Sequence, residues 1–304
     1  MMPQDEIKTI GVIGAGQMGR GITHVCAAAG YRVLLTDVAE PVLEDALKKI
    51  LTGIERAVER GNLSSDEARL VAARIHPNAA FDSQREADLV IEAVPEVLAL
   101  KTDVFMQLGR IVPPATILAS NTSSISITTL GAASGRPDRV VGLHFMNPAP
   151  VMQLVEVVRG RETSDKTMDR ALEVVTKLGK VSVVSKDAPG FIVNRVLMPM
   201  INEAIFALEE GVASAEAIDR AMTAGTNQPV GPLALADRIG LDTVLAICEV
   251  LHQDLHDSKF RPCALLRRYV EMGRLGKKSG RGFYVHSEAD AQKAAHAESA
   301  DIRT

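Results

Sequence analysis

The chain has no tryptophan, three tyrosines and seven phenylalanines among 304 residues. Its cores must therefore be aliphatic, which suits a parallel sheet covered by helices. Cysteine is scarce as well. Cys26, Cys248 and Cys263 are odd in number, widely spaced and set among apolar or helical residues. Such spacing excludes a disulfide framework or a paired metal motif and predicts packed free thiols in a reducing compartment. Excess charge is also missing, since 34 Lys+Arg against 38 Asp+Glu give a formal net charge of −4. Neither nucleic acid nor an anionic membrane surface is suggested as a partner, and any anionic ligand must be met by local cations. No uninterrupted apolar run is long enough to span a bilayer, and the opening MMPQDEIKT lacks the positive and apolar regions of a secretory signal. The expectation is a soluble, cytoplasmic protein without membrane association.

What is present begins with IKTIGVIGAGQMGRGITHVCAAAGYRVLLTD, residues 7 to 37. An apolar run enters Gly14-Ala-Gly16-Gln17-Met18-Gly19, a helix of small residues follows, and a second β-rich run ends at Asp37. Gly14 permits a tight turn, Gly16 lets backbone approach a pyrophosphate, and Gly19 lets helix and strand pack closely. The helix N-terminus, opened by Gln17 and Met18, then faces the phosphates, and Asp37 would accept from an adenosine ribose. A bare G-x-G-x-x-G is weak, but the preceding strand, the following helix and the terminal acid make it a dinucleotide site. Asp37 is followed by Val38, with no adjacent cation, so NAD is expected over NADP.

At 304 residues and 46% hydrophobic content, the chain can fill two cores. Strands are predicted at residues 88–93, 116–120, 140–145, 152–158 and 181–184. Helices are predicted at 41–60, 64–75, 98–111 and 163–178. That alternation predicts an α/β Rossmann-type, doubly wound, mostly parallel sheet over residues 1–187. Beyond Asp187-Ala-Pro-Gly190 helical periodicity dominates, at 191–211, 214–223, 233–255 and 264–272. An all-α C-terminal domain is expected over 188–285, with a weakly ordered, Ala-rich tail at 286–304. The apolar stretches 201–208 and 241–251 exceed what one small helical core needs, which points to a homodimer through that domain.

The segment VGLHFMNPAPVMQLVEVV, residues 141 to 158, places a histidine on one strand-like run and a glutamate on the next. If the runs lie side by side, Glu156 can hold one ring nitrogen of His144 while the other faces a substrate, as in a base that works near neutral pH. A buried histidine with a hydrogen-bond partner would leave the same pattern. Ser120-Asn121-Thr122-Ser123-Ser124 follows an apolar strand, so its hydroxyls reach the carboxyl edge of the sheet, or cap a helix at 125–130. Asn194 is a polar residue in an otherwise apolar turn and needs a partner, in the protein or on a substrate. Lys49, Arg56 and Arg60 share one helix face, as a solvated surface or as a phosphate clamp. Nothing in these patterns has metal-ligand spacing.

Taken together, GAGQMG, ASNTSS, HFMNPAPVMQLVEV, PGFIVNRVLMPMINEA and KKSGRGFY resemble the L-3-hydroxyacyl-CoA dehydrogenases, over roughly residues 7 to 284. The resemblance is strongest to the short bacterial members that act on 3-hydroxybutyryl-CoA. It implies an NAD-dependent oxidoreductase for acyl-CoA, with His144 as base, Glu156 orienting it, and Ser123 and Asn194 on the substrate oxygen. It also implies cofactor contacts at Asp37, Glu96, Lys101, Asn121 and Asn147, CoA contacts at the basic helix face, and a homodimer. Arginine at 56 and 60, where relatives carry lysine against CoA, is one departure; Gln228-Pro-Val-Gly231, where the family more often has His-Pro-Met-Gly, is another and bears on acyl-chain preference but not on the chemistry. Two other readings fit parts of the pattern: a dehydrogenase of a non-CoA hydroxy acid, and a non-catalytic cofactor-binding protein.

Overall fold

The computed structural model describes residues 6–286 and forms two compact units that divide between Phe191 and Ile192. The first unit runs β1 (Thr9–Ile13), α1 (Gln17–Ala28), β2 (Arg32–Thr36), α2 (Glu40–Glu59), α3 (Ser65–Ala73), β3 (Ile75–Pro77), β4 (Leu89–Glu92) and α4 (Leu98–Ile111). It continues with β5 (Ile117–Ser120), α5 (Ile127–Ser134), β6 (Val140–Phe145), β7 (Leu154–Arg159), α6 (Asp165–Lys177) and β8 (Val181–Lys186). The sheet order is β3-β2-β1-β4-β5-β6-β7-β8. β4, β5 and β6 are buried along their whole length, as strands covered on both faces must be. All neighbours pair parallel except β6 and β7. From β1 the chain winds outward through β2 and β3, then returns to β4 on the other side of β1. The carboxyl ends of β1 and β4 therefore flank the switch point at which open α/β sheets bind ligands.

Several local expectations needed correction. β3 was not predicted: it has three residues, one of them proline, too few for a period to register, and Ile75 belongs to it rather than to α3. The cap of α5 is Ser126, whose hydroxyl accepts from the Thr129 N–H, rather than any of Ser120 to Ser124. Asp187 adds to that cap by accepting from the N–H groups of Ile127 and Thr128.

The second unit comprises α7 (Val193–Glu209), α8 (Ala215–Thr226), α9 (Pro232–Ile239), α10 (Leu241–Leu255) and α11 (Ala264–Glu271). The single helix expected at 233–255 is two. Gly240, with φ 101°, ends α9 and begins α10, a value that glycine adopts readily. Ile201, Ile205, Leu241, Val244 and Leu251 are buried in this unit's own core, so apolar excess in these stretches argues less for a dimer than the sequence implied. His286, expected to open the tail, instead places Nε2 2.9 Å from Asp237 Oδ2. Residues 287–304, the rest of that expected tail, lie outside the described residues. The three cysteines are buried and unbridged, and no helix among the described residues is long and apolar enough to cross a membrane.

Candidate active site

The glycine turn leaves the end of β1 for α1. A Cβ on Gly14 would stand 2.7 Å from the Ala93 carbonyl oxygen, and one on Gly19 would stand 1.7 Å from that of Gly14. Both positions are closed to any side chain by the backbone. Gly16 differs, because a Cβ there would meet nothing within 4 Å. It is also the N-cap of α1 and offers no side-chain hydrogen bond. An uncapped helix N-terminus therefore fronts open space beside the switch point, and this fits a pyrophosphate. Asp37 Oδ2 accepts from the Ala15 N–H at 2.7 Å, so the acid expected at a ribose also braces the loop beside it. Val38 is 99% exposed, and no cation stands next to it in sequence.

The histidine and glutamate runs pair as antiparallel neighbours, with His144 opposite Glu156. Residues that face each other across an antiparallel pair point to the same side of the sheet. Here that brings His144 Nδ1 to 2.7 Å from Glu156 Oε2, and both side chains are buried. With Nδ1–H donating to the carboxylate, Nε2 is the nitrogen left with a lone pair. The loop after β6 is tied back to the glycine turn, since Gln17 Nε2 donates to Asn147 Oδ1 at 3.1 Å. Lys180 Nζ holds the same loop through the carbonyls of Ala149 and Met152, at 2.8 and 2.7 Å. Asn121 Oδ1 accepts from the Phe145 N–H at 2.9 Å and so joins the end of β5 to the end of β6.

A charged network at the ends of β4 and β5 completes the picture. Lys101 Nζ lies 2.6 Å from Glu92 Oε1 and 3.3 Å from Glu96 Oε2. Ser120 Oγ donates to the other oxygen of Glu92 at 2.7 Å. Glu96 Oε1 accepts from the N–H groups of Ser123 and Ser124 at 2.9 and 3.1 Å, and from the Thr122 hydroxyl. Burial alone would raise the Glu96 carboxyl, but Lys101, the Thr122 hydroxyl and the Ser123 N–H outweigh it and hold it below its ordinary value. For Glu92 burial wins, and its carboxyl is raised despite Lys101. Glu92 was missed from sequence because one acid closing an apolar strand resembles a strand end, and its counter-charge sits on another element.

The remaining candidates lie on α2, at its end, and on α7. Lys49 Nζ pairs with Asp45 at 2.7 Å on the exposed face of α2, which lowers its value as a clamp. Arg56 on the same helix and Arg60 at its C-cap are exposed and make no ion pair among the described residues. Asn194 is buried in the first turn of α7, in the second unit. No group of histidine, cysteine or acid side chains among the described residues has the geometry to hold a metal ion.

A switch-point glycine turn with a histidine–glutamate pair on neighbouring strands defines an oxidoreductase that uses a nicotinamide dinucleotide. The chain belongs to the 3-hydroxyacyl-CoA dehydrogenase family: residues 9–188 match that family's NAD binding domain and residues 190–286 its C-terminal domain. It is 54% identical over 283 residues to "Probable 3-hydroxybutyryl-CoA dehydrogenase" of Bacillus subtilis (strain 168), covering 93% of this chain and 99% of that one. Against 3-hydroxybutyryl-CoA dehydrogenase of Bradyrhizobium diazoefficiens it is 51% identical, over 93% of this chain and 97% of the relative. The crystal structure of (S)-3-hydroxybutyryl-CoA dehydrogenase from Ralstonia eutropha superposes with a TM-score of 0.90 at 45% identity, covering 93% of this chain and all of that one.

Proposed function

We propose that the protein interconverts (S)-3-hydroxybutyryl-CoA and acetoacetyl-CoA with NAD(H), using His144 as the proton-transfer group. The observation that carries this reading is the 2.7 Å contact between His144 and Glu156 in a chain whose full-length relatives are named for this substrate. In the oxidative direction, Nε2 of His144 takes the hydroxyl proton while the C3–H bond breaks and a carbonyl forms. The chemistry supplied at the bound nicotinamide is acceptance of the hydride leaving C3. Glu156 keeps the proton on Nδ1 and balances the positive charge on the ring once Nε2 is protonated. Ser123 and Asn194 hold the substrate oxygen and lower the cost of alkoxide character. In reverse the same Nε2 returns the proton to the reduced ketone. Glu96 and Lys101 fix the Ser123 loop and, with Gly14, Gly16, Gln17, Met18, Gly19, Asp37, Asn121 and Asn147, form the cofactor side. Neither alternative reading is favoured: a cofactor-binding protein without chemistry has no use for the buried dyad, and a non-CoA dehydrogenase has none for the arginine face. Enantiomers provide the test. Purified enzyme with NAD should oxidise the S thioester and leave the R isomer untouched, and equal rates would refute the assignment.

Cofactor choice follows from Asp37. A carboxylate at the ribose accepts from hydroxyls and repels a 2′-phosphate, with no cation adjacent in sequence to compensate. Catalytic efficiency with NADH should exceed that with NADPH by about tenfold or more, which corresponds to about 1.4 kcal/mol. A preference for NADPH would show that cations from elsewhere reach the phosphate.

Arg56 and Arg60 are assigned to the anionic CoA moiety, with Lys49 contributing less because Asp45 already engages it. Replacing both arginines with alanine should raise KM for acetoacetyl-CoA about 2- to 30-fold, if each exposed contact contributes ~0.2–1 kcal/mol. A truncated thioester lacking the nucleotide should show little change, and wild-type KM for the full substrate should rise with salt. An unchanged KM for the full substrate, with no difference between the two thioesters, would return these arginines to the role of a solvated face.

The first unit is read as the cofactor domain and the second as the domain that supplies Asn194 and joins two copies into a dimer. Val196, on α7, is 68% exposed and suits such a joint. Light scattering at micromolar concentration should report a dimer, and a stable monomer would overturn that assignment. A reducing cytoplasm fits three buried, unbridged thiols.

A further inference from the structure

Pro189, Gly190 and Phe191 have no part in the chemistry above, yet the backbone there is unusual. The Ala188 carbonyl accepts from the Phe191 N–H at 2.9 Å, closing a turn in which Gly190 has φ 73°. Glycine adopts that value at no steric cost. Phe191 follows at φ 48°, in the left-handed region where a bulky side chain is an outlier. The other non-glycine residues with positive φ among the described residues, Asn227 and His256, are polar and end helices α8 and α10, where this conformation is common. Phe191 ends no helix, so its strained backbone has to be offset by the contacts of its side chain.

That side chain is 5% exposed and belongs to the apolar cluster that includes Ile13 and Val158. Its ring stands 5.7 Å from the His144 imidazole, centroid to centroid, at an interplanar angle of 60°. Both values are those of an edge-to-face aromatic pair. One hydrogen bond at Nδ1 fixes one edge of an imidazole, but the ring can still rock about that bond and swing Nε2 away from its line of attack. A second contact on the ring removes this freedom. We infer that Phe191 is a positioning residue: held by a strained turn, its ring stops His144 rocking about the hydrogen bond to Glu156 and so aims Nε2. The kinetic part of this inference rests on His144 being the base, whereas the ring contact itself does not.

The test uses the full-length protein with Phe191→Leu and Phe191→Tyr, and Phe191→Met in place of leucine should leucine fail to fold. In Phe191→Leu, kcat should fall about 10- to 100-fold with KM for NADH and acetoacetyl-CoA nearly unchanged, the signature of lost alignment. Phe191→Tyr, which keeps the ring, should recover most of that loss. In protein labelled with nitrogen-15 at histidine, the Nδ1–H resonance missing from His144→Gln should be sharp in wild type and in Phe191→Tyr, and broadened in Phe191→Leu. An unchanged resonance and full turnover in Phe191→Leu would overturn the inference, as would losses in kcat that merely track the thermal midpoint across all variants. The two assignments fail separately. If the resonance broadens as expected while His144→Gln keeps turnover, the base assignment falls and the ring contact stands.

Discussion

Replacing His144 with glutamine should lower turnover by about 10²–10⁴-fold, the usual contribution of a positioned proton-transfer group, while NADH affinity stays close to wild type. Glutamine is near in size and polarity to the ring it replaces, so the fold around β6 has little reason to change. What disappears is the ring nitrogen assigned to proton transfer. Glu156→Gln tests the other half of the dyad. Its amide can still accept from Nδ1–H, so the ring keeps its orientation, but a neutral partner cannot balance the charge that appears when Nε2 is protonated. Turnover should therefore fall strongly in this variant too, with cofactor binding unaffected. Fluorescence titration with NADH measures the binding, and single-turnover reduction of acetoacetyl-CoA measures the chemistry. Wild-type turnover in either folded variant would remove the dyad from the mechanism.

The second large effect is on stability. Lys101→Met should destabilise the protein by about 3–5 kcal/mol, because removing one partner of a buried ion pair leaves the other charge without compensation. Lys101 and Glu92 are 1% and 0% exposed and 2.6 Å apart, so solvent cannot substitute for the missing ammonium. The thermal midpoint should fall on the order of 10 °C. The dependence on pH separates this cause from lost packing. Burial already raises the Glu92 carboxyl even with Lys101 beside it, and without Lys101 it must rise further. A carboxyl whose folded value lies above its unfolded one contributes stability below the unfolded value and loses it as pH rises through the folded value. The Lys101→Met penalty should therefore be small in the ordinary carboxylate range, near pH ~4, and grow as pH rises through the raised folded value. Thermal melts across that range decide the matter, and a penalty constant with pH would mean that Glu92 carries no charge in the fold.

Much of the fold was legible because its strands are buried on both faces and bounded by turn residues, as at Ile117–Ser120 and Val140–Phe145. The dyad was legible because histidine and glutamate stood on consecutive strand-like runs joined by Asn-Pro, which allowed a hairpin-like return and hence opposite positions. Other features lay below the reach of periodicity. β3 is too short to show a period. At Gly240 the apolar spacing carries on through the residue that breaks the helix in two, so only the glycine itself marked the break. The Glu92–Lys101 pair spans a strand and the following helix, and no local pattern couples an acid to a base nine residues on unless the pair is already known to be buried. Phe191 was hidden for a different reason. Local preference places glycine, not phenylalanine, at φ 48°, so its conformation shows only once the ring it contacts is in place.

The most direct test of the central claim is to mix purified protein with acetoacetyl-CoA and NADH and follow the absorbance of the reduced nicotinamide. That absorbance should fall rapidly and only with enzyme present, with formation of 3-hydroxybutyryl-CoA, and show little or no loss when free acetoacetate replaces the thioester at the same concentration. No oxidation of NADH with the thioester, or equal rates with thioester and free acid, would contradict that claim.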